Sequence, residues 1–306
     1  MTADSPGTGS RRMVGVFRIA VSVVLLMLLF WSLDTGLIAD SIRAVSWWAI
    51  PLALALQMAL LALASIRWWV LLDHHNCGYR PATLLAPFYI GIFLNNILPS
   101  TLGGSLFRMY YIYRDNHDVA VAVSPVFAER MLGLVAMIAT ASMVVPFLSS
   151  EFPHVRILAG ILPWILGLAI AALILMGSRW THRSVHAALA RWSDYSIIAG
   201  VLRVAGAVHT YLVHPWLVAR VFVISIVIQV MAAGVYYLLG LGVGATMAFP
   251  DYLVIVPLVF VAATLPVSIG GLGVREAAAV GMFVAAGMSP DRAGALALLY
   301  LLVLFL

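Results

Sequence analysis

Charge is scarce in this sequence. Only 9% of its 306 residues are Asp, Glu, Lys or Arg, against about 25% in soluble domains. Hydrophobic residues make up 64% of the chain and mean hydropathy is +1.07. A soluble core of this length cannot hide so much apolar surface, so the composition excludes a soluble globular protein and points to a bilayer. Cysteine is almost absent. The single thiol, Cys77, excludes an intrachain disulfide and makes no metal site, and no zinc-type His/Cys spacing occurs. His74 and His75 are adjacent in a polar stretch. On a helix they would point about 100° apart, so they read as solvated rather than as ligands. The P-loop pattern G-x-x-x-x-G-K-[ST] is missing, which excludes that route to ATP-driven work. No nucleophile–base pair or closely spaced carboxylate pair emerges, so no catalytic residue and no cofactor is assigned. Asp73 with His74 and His75 comes nearest. The net charge of +5, from 17 basic and 12 acidic residues, reads as helix-flanking charge. No basic run is interleaved with aromatics, so nucleic acid is not an expected partner.

What remains is a series of apolar segments, at about 14–33, 46–72, 83–98, 102–113, 121–148, 155–177, 216–241, 249–267, 271–287 and 292–306. The first follows Arg11 and Arg12 and resembles a secretory signal. Its length suffices to span a bilayer, and no small-x-small cleavage site follows, so it is expected to be a retained helix. The stretch 181–213 mixes Arg, His, Trp and Asp with apolar residues. It fits a helix lying in the interface, with Trp192 and Tyr195 at headgroup level. Gln229, in mid-segment, is expected to hold helices together.

Arginine placement orients the chain. Arg11, Arg12 and Arg18 put the N-terminal tail, residues 1–13, in the cytoplasm of a cell with a cytoplasmic (inner) membrane. Segment 46–72 then returns Arg67 and Arg80 to that side, and Arg179, Arg183, Arg191 and Arg203 place 179–203 there too. The scheme closes only if 83–113 enters and leaves on one side, as a re-entrant hairpin.

An internal repeat supports this. Leu98–Arg108 reads LPSTLGGSLFR and Leu265–Arg275 reads LPVSIGGLGVR, aligned without a gap. The segments preceding the two copies run in opposite directions, so the copies form an inverted repeat, as in many transporters. The expected fold is an all-α polytopic transmembrane bundle with two inverted repeats, each holding a broken, re-entrant hairpin. Residues 14–306 form one transmembrane domain, with repeat one at about 46–148, repeat two at about 213–306 and a linker at 149–212. The two Gly-Gly tips are expected to meet near the bilayer middle.

The motif chemistry suits an anion. Pro99 and Pro266 break the helix because they lack an N–H. Gly103, Gly104, Gly270 and Gly271 permit unusual backbone or close helix packing, and Thr101 and Ser268 coincide as hydroxyls. A broken helix inside a membrane needs protein or a wet cavity to satisfy its backbone. The restarting helix presents N–H groups and its positive dipole end. Arg108 and Arg275, about one turn in, add full charge suited to a phosphate. Arg108 also reads as a flanking charge, whereas Arg275 and Glu276 stand before an apolar run and are functional candidates. Glu129 and Arg130 point to different helix faces, and either is free to pair with Arg108, Arg275 or Glu276. Asn95 and Asn96 are placed to bond the broken backbone or a ligand headgroup.

Three motifs, NNILPSTLGGSLFR, AERMLGLVA and LPVSIGGLGVREAA, resemble the hallmarks of the flippase-like, lysylphosphatidylglycerol-synthase transmembrane-region family. The likeness runs from about Trp47 to the C-terminus. It implies a lipid function. The best-understood relatives join this membrane region to a cytosolic aminoacyl-transferase domain and move aminoacylated phosphatidylglycerol between leaflets. Stand-alone relatives are linked to hopanoids, glycolipids or prenyl-linked sugars. These 306 residues leave no room for the transferase domain. The expected function is lipid translocation, with a membrane enzyme or enzyme subunit acting on lipid headgroups as the alternative. The expected partners are anionic phospholipid, aminoacylated lipid, polyprenyl phosphate or hopanoid, with a homo-oligomer left open.

Overall fold

The computed structural model describes residues 35–97, 103–147, 153–190, 196–264 and 271–306, with isolated positions between 20 and 27. Every extended element among the described residues is a helix. They are α1 Thr35–Arg43, α2 Ala49–Asp73, α3 Pro81–Ile97, α4 Gly103–Asn116, α5 Val119–Val144, α6 Pro153–Gly177, α7 Arg179–Ala190, α8 Ser196–Leu212, α9 Pro215–Gly242, α10 Phe249–Ala263, α11 Val274–Ala285 and α12 Pro290–Phe305. A short 3-10 turn, Val145–Phe147, follows α5.

Among the described residues, four helices are long and apolar enough to cross a membrane: α2, α5, the Gly160–Gly177 part of α6, and α9. At 1.5 Å per residue, the 25 residues of α2 reach about 37 Å, beyond a hydrocarbon core of about 30 Å. The helical choice follows from the solvent, since in lipid each backbone N–H and C=O must be satisfied within its own segment. Proline is tolerated inside two of these spans, at Pro125 and Pro163, and inside the shorter α3 and α10, at Pro87 and Pro257. The apolar segments at 46–72, 121–148, 155–177 and 216–241 thus emerge as the long spans, and the protein is an all-α polytopic membrane bundle. The short apolar segments 83–98, 102–113, 249–267 and 271–287 correspond to α3, α4, α10 and α11; both Leu-Pro pairs lie outside the described residues. The first segment, 14–33, lies almost wholly outside the described residues. The stretch 181–213 is two helices, α7 and α8; Trp192 and Tyr195 lie outside the described residues.

The chain forms two compact units that interleave along the sequence. One comprises residues 1–57, 91–104 and 234–306, the other residues 58–90 and 105–233. These units are defined by packing and the repeats by sequence register, so the one division does not test the other. In the first unit, α1 packs on α12, where the Ser41 hydroxyl donates to Asp291 Oδ2 at 3.4 Å. Its core is aromatic: Tyr236 stacks on Tyr300 with ring centroids 4.1 Å apart, and Phe283 lies against Tyr236 and Tyr252. In the second unit, α5, α6 and α8 pack together. Val70, Leu71, Ala128, Leu132, Tyr211 and Val221 form the buried cluster. Most of α6 is uncovered, with Trp164 and Leu168 largely exposed. An exposed apolar stripe would be a liability in water and is the ordinary surface of a helix facing lipid tails.

Candidate functional site

In the first motif copy, α3 is described to Ile97 and α4 from Gly103, and residues 98–102 lie outside the described residues. The Gly104 N–H donates to Asn95 Oδ1 at 2.8 Å, so the amide side chain satisfies a donor that the restarting helix leaves open. Asn95 therefore bonds the broken backbone, one of its two expected roles. Gly104 also sits where any Cβ would collide with the Gly91 carbonyl of α3. Close helix packing is thus a real function of this glycine. The Asn96 side chain, Pro99 and Thr101 lie outside the described residues.

Beyond Gly104, α4 carries Arg108 into a buried ion cluster. Arg108 Nη1 donates to Glu129 Oε2 at 2.9 Å. Arg67 Nη2 donates to the other oxygen, Oε1, at 2.7 Å, and Arg67 Nη1 donates to the Ser225 hydroxyl at 3.0 Å. Residue exposures are 4% for Arg108, 6% for Glu129 and 8% for Arg67. The Arg108 guanidinium also lies over two rings, 5.2 Å from the Trp68 centroid and 4.7 Å from that of Phe88. Desolvated cation–π contacts of this kind contribute about 2 kcal/mol. Among the pairings open to Glu129, Arg108 is the one formed. Arg130, on the next face of α5, donates to the Ser105 hydroxyl at 2.9 Å.

Arg67 corrects the sequence reading. As a flanking charge it should sit in headgroups or water, yet it lies inside the bundle against α5 and α9. The available signal was its position: five residues of apolar character and no turn signal separate it from Asp73, where α2 ends. Trp68 and Ser225 were likewise missed, because neither belongs to a motif.

The second copy is built differently. Gly271 and Gly273 both adopt a φ of +81°, a backbone conformation open to glycine, and α11 starts at Val274 rather than within the Gly-Gly pair. Arg275 is therefore at the very start of its helix, not a turn inside it. Its Nε and Nη2 both donate to Glu276 Oε1, at 3.0 and 2.6 Å. Glu276 Oε2 accepts the Gly273 N–H at 2.7 Å, a helix-capping bond. The positive end expected to await an anion is thus met in part by the chain's own carboxylate. Arg275 lies 5.4 Å from the centroid of Tyr300. Pro266, Ser268 and Gly270 lie outside the described residues.

Gln229 is buried, and its Oε1 has no hydrogen-bond partner among the described residues. One further expectation is corrected. His74 and His75 are not simply solvated. His74 packs on the His214 ring at 4.7 Å and on Tyr211 at 5.6 Å. His75 packs on Tyr211 at 5.2 Å and bonds the Ser124 hydroxyl at 3.3 Å. Burial, then the nearby His214, pushes the His74 pKa down. Burial and His74 do the same to His75, opposed by Asp118. Beside them Tyr79 is pushed up to about 12 by burial and by Asp115. Among the described residues no group of His, Cys, Asp or Glu is arranged to hold a metal.

Long apolar helices with ion pairs buried between helices define a polytopic membrane protein. The chain matches the family described as lysylphosphatidylglycerol synthase TM region over residues 15–306, and it belongs to that family. It is also similar to a UPF0104 membrane protein of Methanothermobacter thermautotrophicus, 22% identical over 303 residues that cover 92% of this chain and 86% of that protein.

Proposed function

We propose that the protein translocates an anionic or phosphate-bearing lipid across the cytoplasmic membrane, and that the charged residues beside its helix breaks handle the headgroup. The observation that carries this reading is the buried Arg108–Glu129 pair just past the first break. An ion pair inside an apolar bundle is costly to assemble, and intramembrane charges mark substrate pathways. The family supports a lipid-related role. In this reading the two broken segments are re-entrant hairpins of an inverted repeat, with the N-terminus cytoplasmic. Asn95, Asn96, Pro99, Thr101, Gly103, Gly104, Arg108, Glu129 and Arg130 serve the first copy. Pro266, Ser268, Gly270, Gly271, Arg275 and Glu276 serve the second. Anionic phospholipids are the first substrates to test, then aminoacylated forms, polyprenyl phosphates and hopanoids.

The test is leaflet exchange of labelled lipids in liposomes holding the purified protein, without nucleotide. Exchange of an anionic lipid that falls to the protein-free rate in Arg108→Ala supports the reading. Protein-free rates for every lipid with the unaltered protein overturn it.

A further inference from the structure

Away from the helix breaks, the second unit encloses a cavity of about 510 Å³ beside the start of α5 and the end of α6. On α5 it is lined by Val119, Val123 and Phe127, which share one helix face. On α8 it is lined by Gly200, Val204 and Val208, which share another. Each stripe is about 12 Å long at a rise of about 1.5 Å per residue. Met176 of α6 and Thr181 of α7 complete the lining. None of the residues proposed to handle the headgroup is among them. Part of the room comes from an absent side chain: a Cβ at Gly200 would meet nothing within 4 Å.

The lining offers hydrocarbon and no free hydrogen bond. The Thr181 hydroxyl is paired with that of Ser178 at 2.8 Å, and His209 Nδ1 donates to the Met176 carbonyl at 3.3 Å. No buried side-chain polar atom of these lining residues lacks a partner. A buried water needs about two to four polar partners, so water gains nothing here, and a sugar, a nucleotide or an ion would lose hydrogen bonds on entry. A helix is too thick. At about 10–12 Å across, roughly 12 Å of helix needs on the order of 1,000 Å³, well beyond this cavity. One flexible hydrocarbon chain fits, and Met176 is an adaptable wall for it.

The surroundings point to the source of that chain. Arg179 and Arg183 stand two residues to either side of Thr181, so they lie together on the opposite face of α7, and both are exposed. Trp180 is 75% exposed. Exposed arginine and tryptophan beside the end of a span mark headgroup level, and the arginines suit a phosphate. Asp118, one residue before Val119, is occupied by the Ala120 N–H.

We infer that the cavity holds one acyl chain of a membrane phospholipid, resident between α5, α6 and α8. This lipid is separate from the one proposed to be moved and is independent of transport.

Photocrosslinking of the protein in phosphatidylcholine vesicles tests this. The probe is phosphatidylcholine with a diazirine in one acyl chain, and labelled residues are read by peptide mass spectrometry. Bulk lipid labels the uncovered face of α6, so Leu168, 73% exposed, is the reference. Val123 and Val204 are expected to be labelled in the unaltered protein. In Gly200→Phe, whose ring fills the cavity, that label is expected to be lost while label at Leu168 persists. Unlabelled cavity residues in the unaltered protein, or cavity label that survives Gly200→Phe, would overturn the proposal. Palmitate with the same diazirine is the second probe. Label from palmitate and none from the phospholipid would reject the phospholipid as occupant.

Residence is read by native mass spectrometry after extraction into detergent. The unaltered protein should retain one phospholipid more than Gly200→Phe; equal retention rejects a resident lipid. Gly200→Phe should melt no lower than the unaltered protein, because its Cβ enters open space and glycine is a poor helix former. Should it fail to fold, Ala205→Leu, a smaller intrusion from the same lining, decides by the same two readouts.

Discussion

Arg275 and Glu276 are neighbours in sequence and partners in space, with both Nε and Nη2 of the arginine on one oxygen of the carboxylate, at 3.0 and 2.6 Å. The other oxygen closes the first turn of α11 on Gly273. Glu276 thus does two jobs, and its loss strands two buried groups. Glu276→Ala should destabilise the protein by about 3–5 kcal/mol, read as a fall in thermal unfolding temperature in detergent. Arg275→Ala leaves the Gly273 cap in place, and the double variant should be less damaged than the sum of the singles. Additive losses would show that the pair is not coupled.

A close approach between α3 and α4 explains Gly104. Its missing Cβ is what lets the Gly91 carbonyl lie against it, so Gly104→Ala must push the helices apart. The expected loss is about 1–3 kcal/mol, together with reduced leaflet exchange. Gly281, in the middle of α11, is the control. A Cβ there meets nothing within 4 Å, and Gly281→Ala should stabilise by roughly 0.5–1 kcal/mol because the helix loses less backbone freedom on folding. Similar effects at both positions would remove the packing argument.

Acid should loosen the histidine cluster outside the spans. His74 and His75 both have pKa values lowered below the ordinary 6.5 in the folded protein, the first by burial and His214, the second by burial and His74, with Asp118 opposing. Cys77 and Asp73 lie nearby, and the thiol is pushed up by burial. A lowered histidine pKa means that the unfolded chain takes up protons first as pH falls below 6.5. The contribution is therefore fully present above that value and is lost as pH falls toward the folded pKa values. Thermal unfolding from pH 8 to pH 5 should show this loss, and His74→Asn/His75→Asn should flatten it. The same acid loss in the double variant would assign it elsewhere.

The long spans were legible because apolar run length carries their signal, and in lipid that signal is nearly sufficient. The partnering of charges was not. Arg67 reads as a flank until α5 and α9 are packed against it, and only then does it share Glu129 with Arg108. Nor does the repeat reveal its own asymmetry. LPSTLGGSLFR and LPVSIGGLGVR differ where Ser105 and Leu106 align with Leu272 and Gly273. That second-copy glycine, at φ +81°, postpones the helix start and turns Glu276 back onto its N-terminus. With Gly271 also at φ +81°, two glycines keep the second-copy chain out of the helix until Val274.

Asn95 tests whether the first break must be held closed. Its side-chain oxygen takes the Gly104 N–H at 2.8 Å, the same service an N-cap residue performs. Asn95→Asp retains an acceptor at that position, whereas Asn95→Ala leaves a half-buried donor unmet at a cost of about 1 kcal/mol. Thermal unfolding should therefore rank the alanine variant below the aspartate variant. Leaflet exchange separates two consequences of the weakened cap. If the break is a rigid platform that positions Arg108, exchange falls with stability in the alanine variant and is retained with aspartate. If the break must open during the cycle, the alanine variant exchanges lipid faster while melting earlier. The platform is the expected outcome, because the same short stretch that carries the cap also carries the Gly104 contact and leads within four residues to Arg108. A faster alanine variant would reject it.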